Sequence, residues 1–388
     1  MLSEKRGVSA RSATYFSGAV VAFLLSFMVW DSAKFTNNLF YALIALPGLL
    51  FLIKARAAGV FEDRLGWAWL AFMLWFLVPA YYSGDFQFYK HIAYVTLFVF
   101  VVAGFTNPGF FGGGLFARSQ FWIVFAYILI SALYGWVTGR FEFGARVNIL
   151  PSRMDNVIYA SIWLFCALGL ALPVWHKQGR WIEATAAVVL SLFIVSFVVQ
   201  TRTALVGAAF LGALWALHAM RHYKKQGAIA VVALALFSLL FMWLVKDEQW
   251  VTVLFARGDS SRIELFQIMV GEWRNCGWLT GCGVEFHTTR TLTGGMPIQH
   301  PHNVFVAMGL YTGAIALVLF VVVMALTLWR AWRLRCTWGV YLACALVMLN
   351  FDGSKLVGNP DELWVLVLFP AAMIYARAIH QRGGARQV

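Results

Sequence analysis

The chain is dominated by long, continuous apolar stretches that are separated by short polar segments. A helix that crosses a bilayer needs about 20 apolar residues, and most of these runs approach that length. None alternates as a membrane β-strand would. The pattern therefore predicts an all-α, polytopic membrane protein with about 12 transmembrane helices, of which the eleventh is the weakest. The runs cover residues 13–30, 39–53, 65–82, 92–105, 121–137, 157–174, 182–199, 203–218, 228–245, 304–329, 338–349 and 363–375.

The spacing of these runs predicts one integral membrane domain over residues 1–388. Spans one to nine lie within 13–245, and spans ten to twelve lie within 304–375. The intervening residues, 246–303, form one large loop. The first run follows a basic segment without a convincing cleavage site, so it is interpreted as a retained signal anchor.

Composition supports this class. Hydrophobic residues make up 61% of the chain and charged residues only 12%, whereas soluble proteins average about 45–50% and about 25%. The net charge of +13 would indicate a nucleic-acid partner in a soluble domain. In a membrane protein it is better explained by basic cytoplasmic loops, so no nucleic-acid partner is expected.

The charge distribution predicts the orientation. With the N-terminus in the cytoplasm, 18 of the 30 Lys and Arg residues fall in inner segments, and 13 of the 17 acidic residues fall outside. Lys and Arg concentrate in short cytoplasmic loops. We therefore expect both termini in the cytoplasm and the loop 246–303 outside.

The outer segments are unusually rich in arginine, which supplies eight of their 12 basic residues. Arginine grips phosphate oxygens with a planar fork, whereas lysine acts as a point charge. The set therefore favours a phosphate or pyrophosphate ligand, although loop charges paired with the outer acids are the plainer explanation for any single member. Its members are Arg140, Arg146, Arg153, Arg202, Arg257, Arg262, Arg274 and Arg290.

The long loop contains one predicted helix. Ser261 to Glu264 fits a capping box, and apolar residues follow at helical spacing: Ile263, Phe266, Met269, Val270 and Trp273. This pattern is typical of an amphipathic helix lying along the outer surface, or of a packing helix without chemistry. Arg262 opposes the helix dipole in the first turn, which suggests another use for it. Cys276 and Cys282 flank the next turn and either pair as a disulfide or remain free.

The sequence His300-Pro301-His302-Asn303 directly precedes span ten. Pro301 suits the first turn of a helix. A helix N-terminus favours anions and keeps a nearby imidazole neutral, as a general base requires. The alternatives are an interfacial turn or a metal pair formed by His300 and His302. A metal is disfavoured, because no third ligand is evident and no carboxylate is adjacent.

Several familiar motifs are absent from the sequence. There is no Asp-x-Asp pair to hold a diphosphate through a metal, no Gly-x-x-x-x-Gly-Lys-Ser/Thr loop and no Gly-x-Ser-x-Gly elbow. Arginines would therefore have to neutralise any pyrophosphate.

In their order and spacing, three short motifs within residues 195–325 resemble the O-antigen ligase and polymerase superfamily. They are Gln200-Thr201-Arg202-Thr203-Ala204-Leu205, then Ser261-Arg262 through Gly281-Cys282-Gly283, then His300-Pro301-His302-Asn303-Val304-Phe305 followed by Gly309 and Gly313. Size and the long loop are most similar to O-antigen ligases. Polymerases and protein O-oligosaccharyltransferases of the same superfamily are the alternatives.

The resemblance implies a C-type glycosyltransferase fold in the bacterial inner membrane, with a periplasmic site and neither metal nor nucleotide. It implies transfer of O-antigen polysaccharide from undecaprenyl pyrophosphate to the lipid A core. On this basis His302 is the catalytic base, and Arg202, Arg262, Arg146 and Arg153 hold the pyrophosphate. Secondary candidates are His300, Asn303, Arg140, Arg257 and Arg290.

The strongest alternative of another class is a transporter. Residues 59–66, between spans two and three, resemble the loop motif of the major facilitator family, whose members also have twelve spans. Three features disfavour it: the trailing basic residues are missing, no second copy lies between spans eight and nine, and the long loop divides the spans nine and three.

Overall fold

The computed structural model of the protein describes residues 10–54, 56–142, 145–222 and 261–385. Over these residues the regular structure is helical, and the extended contacts amount to one isolated bridge between Thr291 and Pro297. The predicted all-α class is therefore confirmed. We number the helices α1 Ala10–Val29, α2 Ala33–Lys54, α3 Arg64–Ser83, α4 Phe86–Phe105, α5 Pro108–Phe111, α6 Gly114–Val137, α7 Val157–Lys177, α8 Trp181–Val198, α9 Arg202–His222, α10 Arg262–Cys276, α11 Val304–Arg333, α12 Trp338–Met348 and α13 Trp364–Gln381.

Ten of these helices are long and apolar enough to cross a membrane, so the protein is a multi-pass membrane protein. They correspond to ten of the twelve predicted spans. The ninth predicted span, residues 228–245, lies outside the described residues. The eleventh is α12, which has only 11 residues and covers about 16 Å at 1.5 Å per residue. It reaches only about halfway across a bilayer.

Side-chain caps explain where several helices begin. Asp85 accepts a hydrogen bond from the Gln87 amide, which starts α4. Asn156 does the same for the Ile158 amide at the start of α7. These caps satisfy backbone N–H groups that have no partner inside the helix. They fix the helix ends at polar residues bordering the apolar runs.

A buried ion pair stabilises the inner end of the helix bundle. The inner end is the one predicted to face the cytoplasm. Asp63 caps α3 through the Leu65 amide at 2.9 Å and binds Arg330 of α11 at 3.0 Å. Gly66 is packed so closely that a Cβ would meet the Tyr375 hydroxyl and the Val60 carbonyl. The segment that resembles a transporter motif therefore has a structural function in this chain.

We expect Asp63→Asn to lower the free energy of unfolding by roughly 1.5–3 kcal/mol, the usual value of a hydrogen bond to a charged group. Asparagine keeps the helix cap, so the change isolates the loss of the Arg330 pair. Denaturation in detergent measures it. Asp31→Asn, at an exposed position of the opposite end, serves as the control. An unfolding free energy equal to that of the wild type would contradict the assignment.

The predicted tenth span departs most from expectation, because α11 is broken at Gly313. This glycine has φ +87° and ψ 168° within the helix. The rings of Phe305 and Phe320 lie 5.7 Å apart, whereas fifteen residues of straight helix would separate them by about 22 Å. Residues 304–312, called the re-entrant segment below, therefore fold back beside residues 314–333. The single predicted span 304–329 is wrong in this respect.

The fold-back lowers the start of α11 into the bundle. The Val304 amide donates to the carbonyl of Leu349, just beyond the end of the short helix α12. The segment before α7 also lies deep. The Tyr127 hydroxyl in α6 is 3.3 Å from the carbonyl oxygens of both Leu150 and Met154, between which it shares its proton. Helix α6 continues ten residues past Tyr127, about 15 Å at the helical rise. Residues 150–154 and the start of α11 thus lie below the outer ends of α6 and of residues 314–333, and we call the region between them the outer basin.

The loop helix α10 forms as predicted, but its packing and its start differ from the prediction. Leu265, Met269 and Trp273 are buried against the re-entrant segment, while Ile263 and Phe266 are exposed. The predicted capping box is absent. Ser261 has φ +56° and makes no side-chain cap, and Glu264 instead accepts from the amide and hydroxyl of Thr293. Tertiary contacts replaced the local motif.

Candidate active site

The start of the re-entrant segment is fixed by Asn303. Its Oδ1 accepts from the amides of Phe305 and Val306 at 2.9 and 3.0 Å, and its Nδ2 donates to the Asn350 carbonyl at 2.8 Å. The side chain therefore caps the helix and ties it to the loop after α12. Pro301 lies two residues before this cap and outside the helix, contrary to the prediction. Asn303 is a positioning residue for its neighbour His302.

His302 points toward a carboxylate that the sequence alone did not identify. Its Nδ1 lies 3.1 Å from Oδ1 of Asp352. The histidine side chain is 40% exposed, whereas Asp352 is 1% exposed and also accepts from the Gly353 amide at 2.8 Å. A carboxylate at Nδ1 fixes the tautomer and orientation of the ring. Nε2 is then the nitrogen left for a substrate proton.

The other predicted histidine, His300, packs against His302. His300 Nδ1 accepts from the His302 amide at 3.3 Å, and the two rings are 3.8 Å apart. Burial lowers the pKa of His300, and the neighbouring His302 lowers it further, while Asp352 and the Gly353 backbone oppose the shift. A neutral ring accepts at Nδ1, so the pKa and the hydrogen bond agree.

The depressed pKa of His300 gives a testable dependence of stability on pH. Above the ordinary histidine pKa of about 6.5, the folded and unfolded chains are both neutral at this position. As the pH falls below that value the unfolded chain takes up a proton first, so folding stability is lost. We expect the melting temperature of the wild type to drop more between pH 7.5 and 5.5 than that of His300→Gln.

The exposed residue His287 provides the matched control for this measurement. His287→Gln should show the same pH dependence as the wild type. If His300→Gln lost as much stability as the wild type on acidification, His300 would not be the group that resists protonation.

His300, His302 and Asp352 also form a set that could hold a metal ion, since their ligand atoms lie within 4.8 Å of one another. The expectation that no carboxylate lies adjacent to the two histidines is therefore wrong. Two nitrogens and one oxygen suit a divalent transition metal chemically. The same three side chains thus fit either a hydrogen-bonded base or a metal site, and chelation distinguishes them.

Of the four predicted pyrophosphate arginines, Arg262 lies near Asp352, and Arg202 lies near Arg262. Arg262, in the first turn of α10, is half-buried. Burial lowers the pKa of this guanidinium, Asp352 opposes the shift, and the nearby Arg202 lowers the pKa further. Like charges at close range cost energy, which a bound dianion would offset. The fold therefore brings together Arg202, Arg262 and the His302–Asp352 pair from distant parts of the sequence.

Arg202 is the first residue of α9 and directly follows a short turn. The Gln200 backbone has φ +47°, and the Thr201 hydroxyl donates to Ser161 of α7 at 3.0 Å. This turn is bound to the loop that carries Arg146, because the Val147 amide donates to the Val198 carbonyl at 3.0 Å. The backbone at Arg146 therefore lies close to the turn that precedes Arg202.

Arg153 takes a partly structural role. Its Nε and Nη2 donate to the Pro360 carbonyl at 3.2 and 3.1 Å, and its amide donates to the Trp30 carbonyl at 2.9 Å. It thereby joins α1, the loop before α7 and the loop before α13.

Two acids missed by the sequence analysis adjoin Arg153. Burial raises the pKa of both Asp361 and Glu362, and for Asp361 the neighbouring Glu362 raises it further, while Arg153 opposes both shifts. Asp361 caps α13 through the Leu363 amide at 3.0 Å. The only signal in the sequence was an acidic pair directly before an apolar run.

Two of the three secondary arginines lie within the described residues, and both are at the surface. Arg140 is exposed past the end of α6 and lies over the Tyr134 ring, 5.1 Å from its centroid. Arg290 is 56% exposed and paired with Glu272 at 2.9 Å. Arg257 lies outside the described residues. A cation–π contact accounts for Arg140 and a surface ion pair accounts for Arg290, both without a ligand.

The comparison with known proteins concerns the chain as a whole. No protein-family model matches the chain. An O-antigen ligase from Pseudomonas aeruginosa PAO1 is 26% identical over 385 residues, covering 93% of this chain and 90% of that protein. The similarity thus extends far beyond the three motifs of residues 195–325. It confirms that this chain resembles the O-antigen ligases along nearly its whole length.

Proposed function

We propose that this protein is an O-antigen ligase that transfers a polysaccharide from undecaprenyl pyrophosphate to a sugar of the lipid A core. The similarity to a ligase over nearly the full chain supports the class of glycosyltransferase. The observation that carries the proposal is the His302–Asp352 pair beside Arg202 and Arg262 in the outer basin. This arrangement combines a base with cations for a diphosphate. The basic inner loops support a site on the periplasmic side of the inner membrane.

The recess of the site suits a lipid donor. A polyprenyl pyrophosphate has its tail among lipid chains and its diphosphate at the polar boundary. In the outer basin, polar backbone and side chains lie below the outer ends of α6 and of residues 314–333. Polar backbone at this depth is tolerated where it lines a cavity. The donor diphosphate would enter the basin while its tail stays between helices.

The reaction is a single displacement at the anomeric carbon of the donor sugar. Nε2 of His302 removes the proton of the acceptor hydroxyl, and the Nδ1 proton of the resulting imidazolium is held by Asp352. The acceptor oxygen forms the new glycosidic bond as the bond to the undecaprenyl diphosphate oxygen breaks. The electron pair leaves with the diphosphate, where Arg202 and Arg262 stabilise the added charge. A single displacement inverts the anomeric centre.

The test is reconstitution of purified full-length protein with undecaprenyl-pyrophosphate-linked polysaccharide and lipopolysaccharide that lacks O-antigen. A ladder of modified lipid A core on a gel, without ATP, is the expected result. Polysaccharide joined to another lipid-linked repeat would instead identify a polymerase, and attachment to a protein would identify an oligosaccharyltransferase. Proton-driven uptake of a solute without transfer would support the transporter alternative.

Chelation tests the metal alternative at the same three side chains. We expect EDTA treatment followed by desalting to leave the transfer rate within about twofold of the untreated rate, because a proton acceptor needs no cation. The exchange should be followed by metal analysis of the protein. Loss of transfer on chelation, with recovery on adding back Zn²⁺ or Mn²⁺, would replace the base by a metal centre of His300, His302 and Asp352.

A further inference from the structure

The break in α11 releases backbone groups that an unbroken helix would pair. The Ala314 amide would ordinarily donate to the Leu310 carbonyl, four residues earlier. Instead, the Leu310 carbonyl accepts from the Cys282 amide at 2.6 Å, and the Ala314 amide donates to the Trp278 carbonyl at 2.8 Å. One segment of the outer loop therefore supplies both missing partners. We call residues 276–282 the disulfide loop.

The disulfide loop is closed and fitted to the break. Cys276 and Cys282 form a disulfide with Cα atoms 5.0 Å apart, which decides between the two states that the sequence left open. A Cβ on Gly281 would lie 2.7 Å from both the Gly313 amide and the Leu310 carbonyl. The Trp273 indole N–H also donates to the Trp278 carbonyl at 3.0 Å. The loop is thus held to α10 on one side and, on the other, to the break at Gly313, which we call the bend.

The bend has a direct geometric connection to the candidate site. The re-entrant segment begins at the Asn303 cap and ends at Gly313, so it is one short helix with the catalytic residues at its far end. Asp352 belongs to a different part of the chain. The far end of the segment is held to the loop of Asp352 by the bonds from Asn303 to Asn350 and from Val304 to Leu349. A change of angle at Gly313 therefore pulls on these two bonds and displaces His302 relative to Asp352. Misplacement by about 1 Å is enough to cost catalysis about a hundredfold.

We propose that the disulfide loop is a positioning element of the active site, which fixes the angle of the re-entrant segment and thereby the His302–Asp352 geometry. Its effect on transfer rests on the proposed function, but its effect on the re-entrant segment does not. Oxidation of Cys276 and Cys282 sets the loop in place. Two-electron reduction by an added dithiol, which is itself oxidised to a disulfide, yields two thiols and releases it.

The first test leaves the disulfide intact and compares Gly281→Ala with Gly283→Ala. Both glycines have positive φ, +71° and +88°, so both substitutions strain the backbone. Only at Gly281 does the new Cβ meet the bend, since nothing lies within 4 Å of one at Gly283. In full-length protein in lipid nanodiscs, Gly281→Ala should raise amide hydrogen exchange in residues 304–312 about tenfold. Gly283→Ala should match the wild type.

Kinetic measurements distinguish a loss of positioning of His302 from a general destabilisation of the protein. With Gly281→Ala we expect kcat to fall about tenfold or more while KM for the lipid donor changes less than about twofold, because donor binding and base geometry are distinct. Equal hydrogen exchange in the two variants would overturn the proposal. Should the wild type show no transfer activity, the proposed function fails, and the hydrogen-exchange comparison still decides the role of the loop.

The second test uses the wild-type protein and remains available if Gly281→Ala does not fold. Reduction of Cys276–Cys282, verified by thiol mass labelling, should raise hydrogen exchange in residues 304–312 and lower kcat; reoxidation should reverse both. The double variant Cys276→Ser/Cys282→Ser should be insensitive to reductant. Cys336→Ser, at a free cysteine, should keep the response. If reduction of the wild type left the hydrogen exchange of residues 304–312 unchanged, the proposal would be overturned.

Discussion

Replacing His302 with alanine should lower the transfer rate about 10²–10⁴-fold, the usual contribution of a positioned general base. Binding of the lipid-linked donor should be nearly unchanged, because the imidazole acts on the acceptor proton and the arginines hold the diphosphate. Single-turnover transfer at saturating donor measures the effect. The geometric reason is that Asp352 holds Nδ1 at 3.1 Å and directs Nε2 to the substrate.

Two further variants make the His302 result specific. His287→Ala, an exposed histidine of the same outer loop, should transfer at the wild-type rate. Asp352→Asn should keep the shape of the site but release the imidazole tautomer, so it should lower kcat and alter the pH profile of transfer. Wild-type transfer by His302→Ala would exclude it as the base and leave His300 as the remaining imidazole of the pair.

Replacing Arg262 with glutamine should lower transfer about 10²–10³-fold, comparable to loss of one donor that stabilises developing negative charge. Arg262→Lys should recover only part of the rate, because lysine keeps the charge but lacks the bidentate fork. Burial and the adjacent Arg202 already lower the pKa of Arg262 in the absence of ligand. A diphosphate would relieve that repulsion, so the variant should weaken donor binding too.

The matched comparison for Arg262 is Arg335→Lys, an exposed arginine at the inner end of the bundle, which should leave transfer unchanged. Donor affinity should be measured as well as rate. If Arg262→Gln bound and transferred the lipid-linked donor as the wild type does, the assignment of Arg262 to the diphosphate would be wrong. Arg202 and Arg146 would then be the cations to test next.

The match between predicted and observed spans follows from the bilayer itself. A run of about 20 apolar residues can satisfy its backbone only as a helix, so composition along the chain was enough to predict ten long helices. The helix in the long loop was equally predictable, because its apolar residues recur at helical spacing. These features depend on residues that are neighbours in the sequence, so the sequence alone was sufficient to predict them.

The errors have a common origin in contacts between distant segments. A capping box was predicted at Ser261 to Glu264, but Thr293 takes the Glu264 carboxylate. Ile263 and Phe266 were assigned to the apolar face, but the re-entrant segment selects Leu265, Met269 and Trp273. In both cases the local pattern was compatible with two outcomes. Hydrogen bonds to a residue 29 positions away decided the first, and packing against the re-entrant segment decided the second.

What the sequence determined by itself is the class of molecule and the helix-forming segments; it also gave the candidates for the chemistry, His302 and the outer arginines. What only the tertiary structure decided is how those residues meet. The fold-back at Gly313 and the placement of Asp352 beside His302 arise from contacts between segments dozens of residues apart. Local propensity does not encode such contacts, because their free energy exists only once both segments are in place.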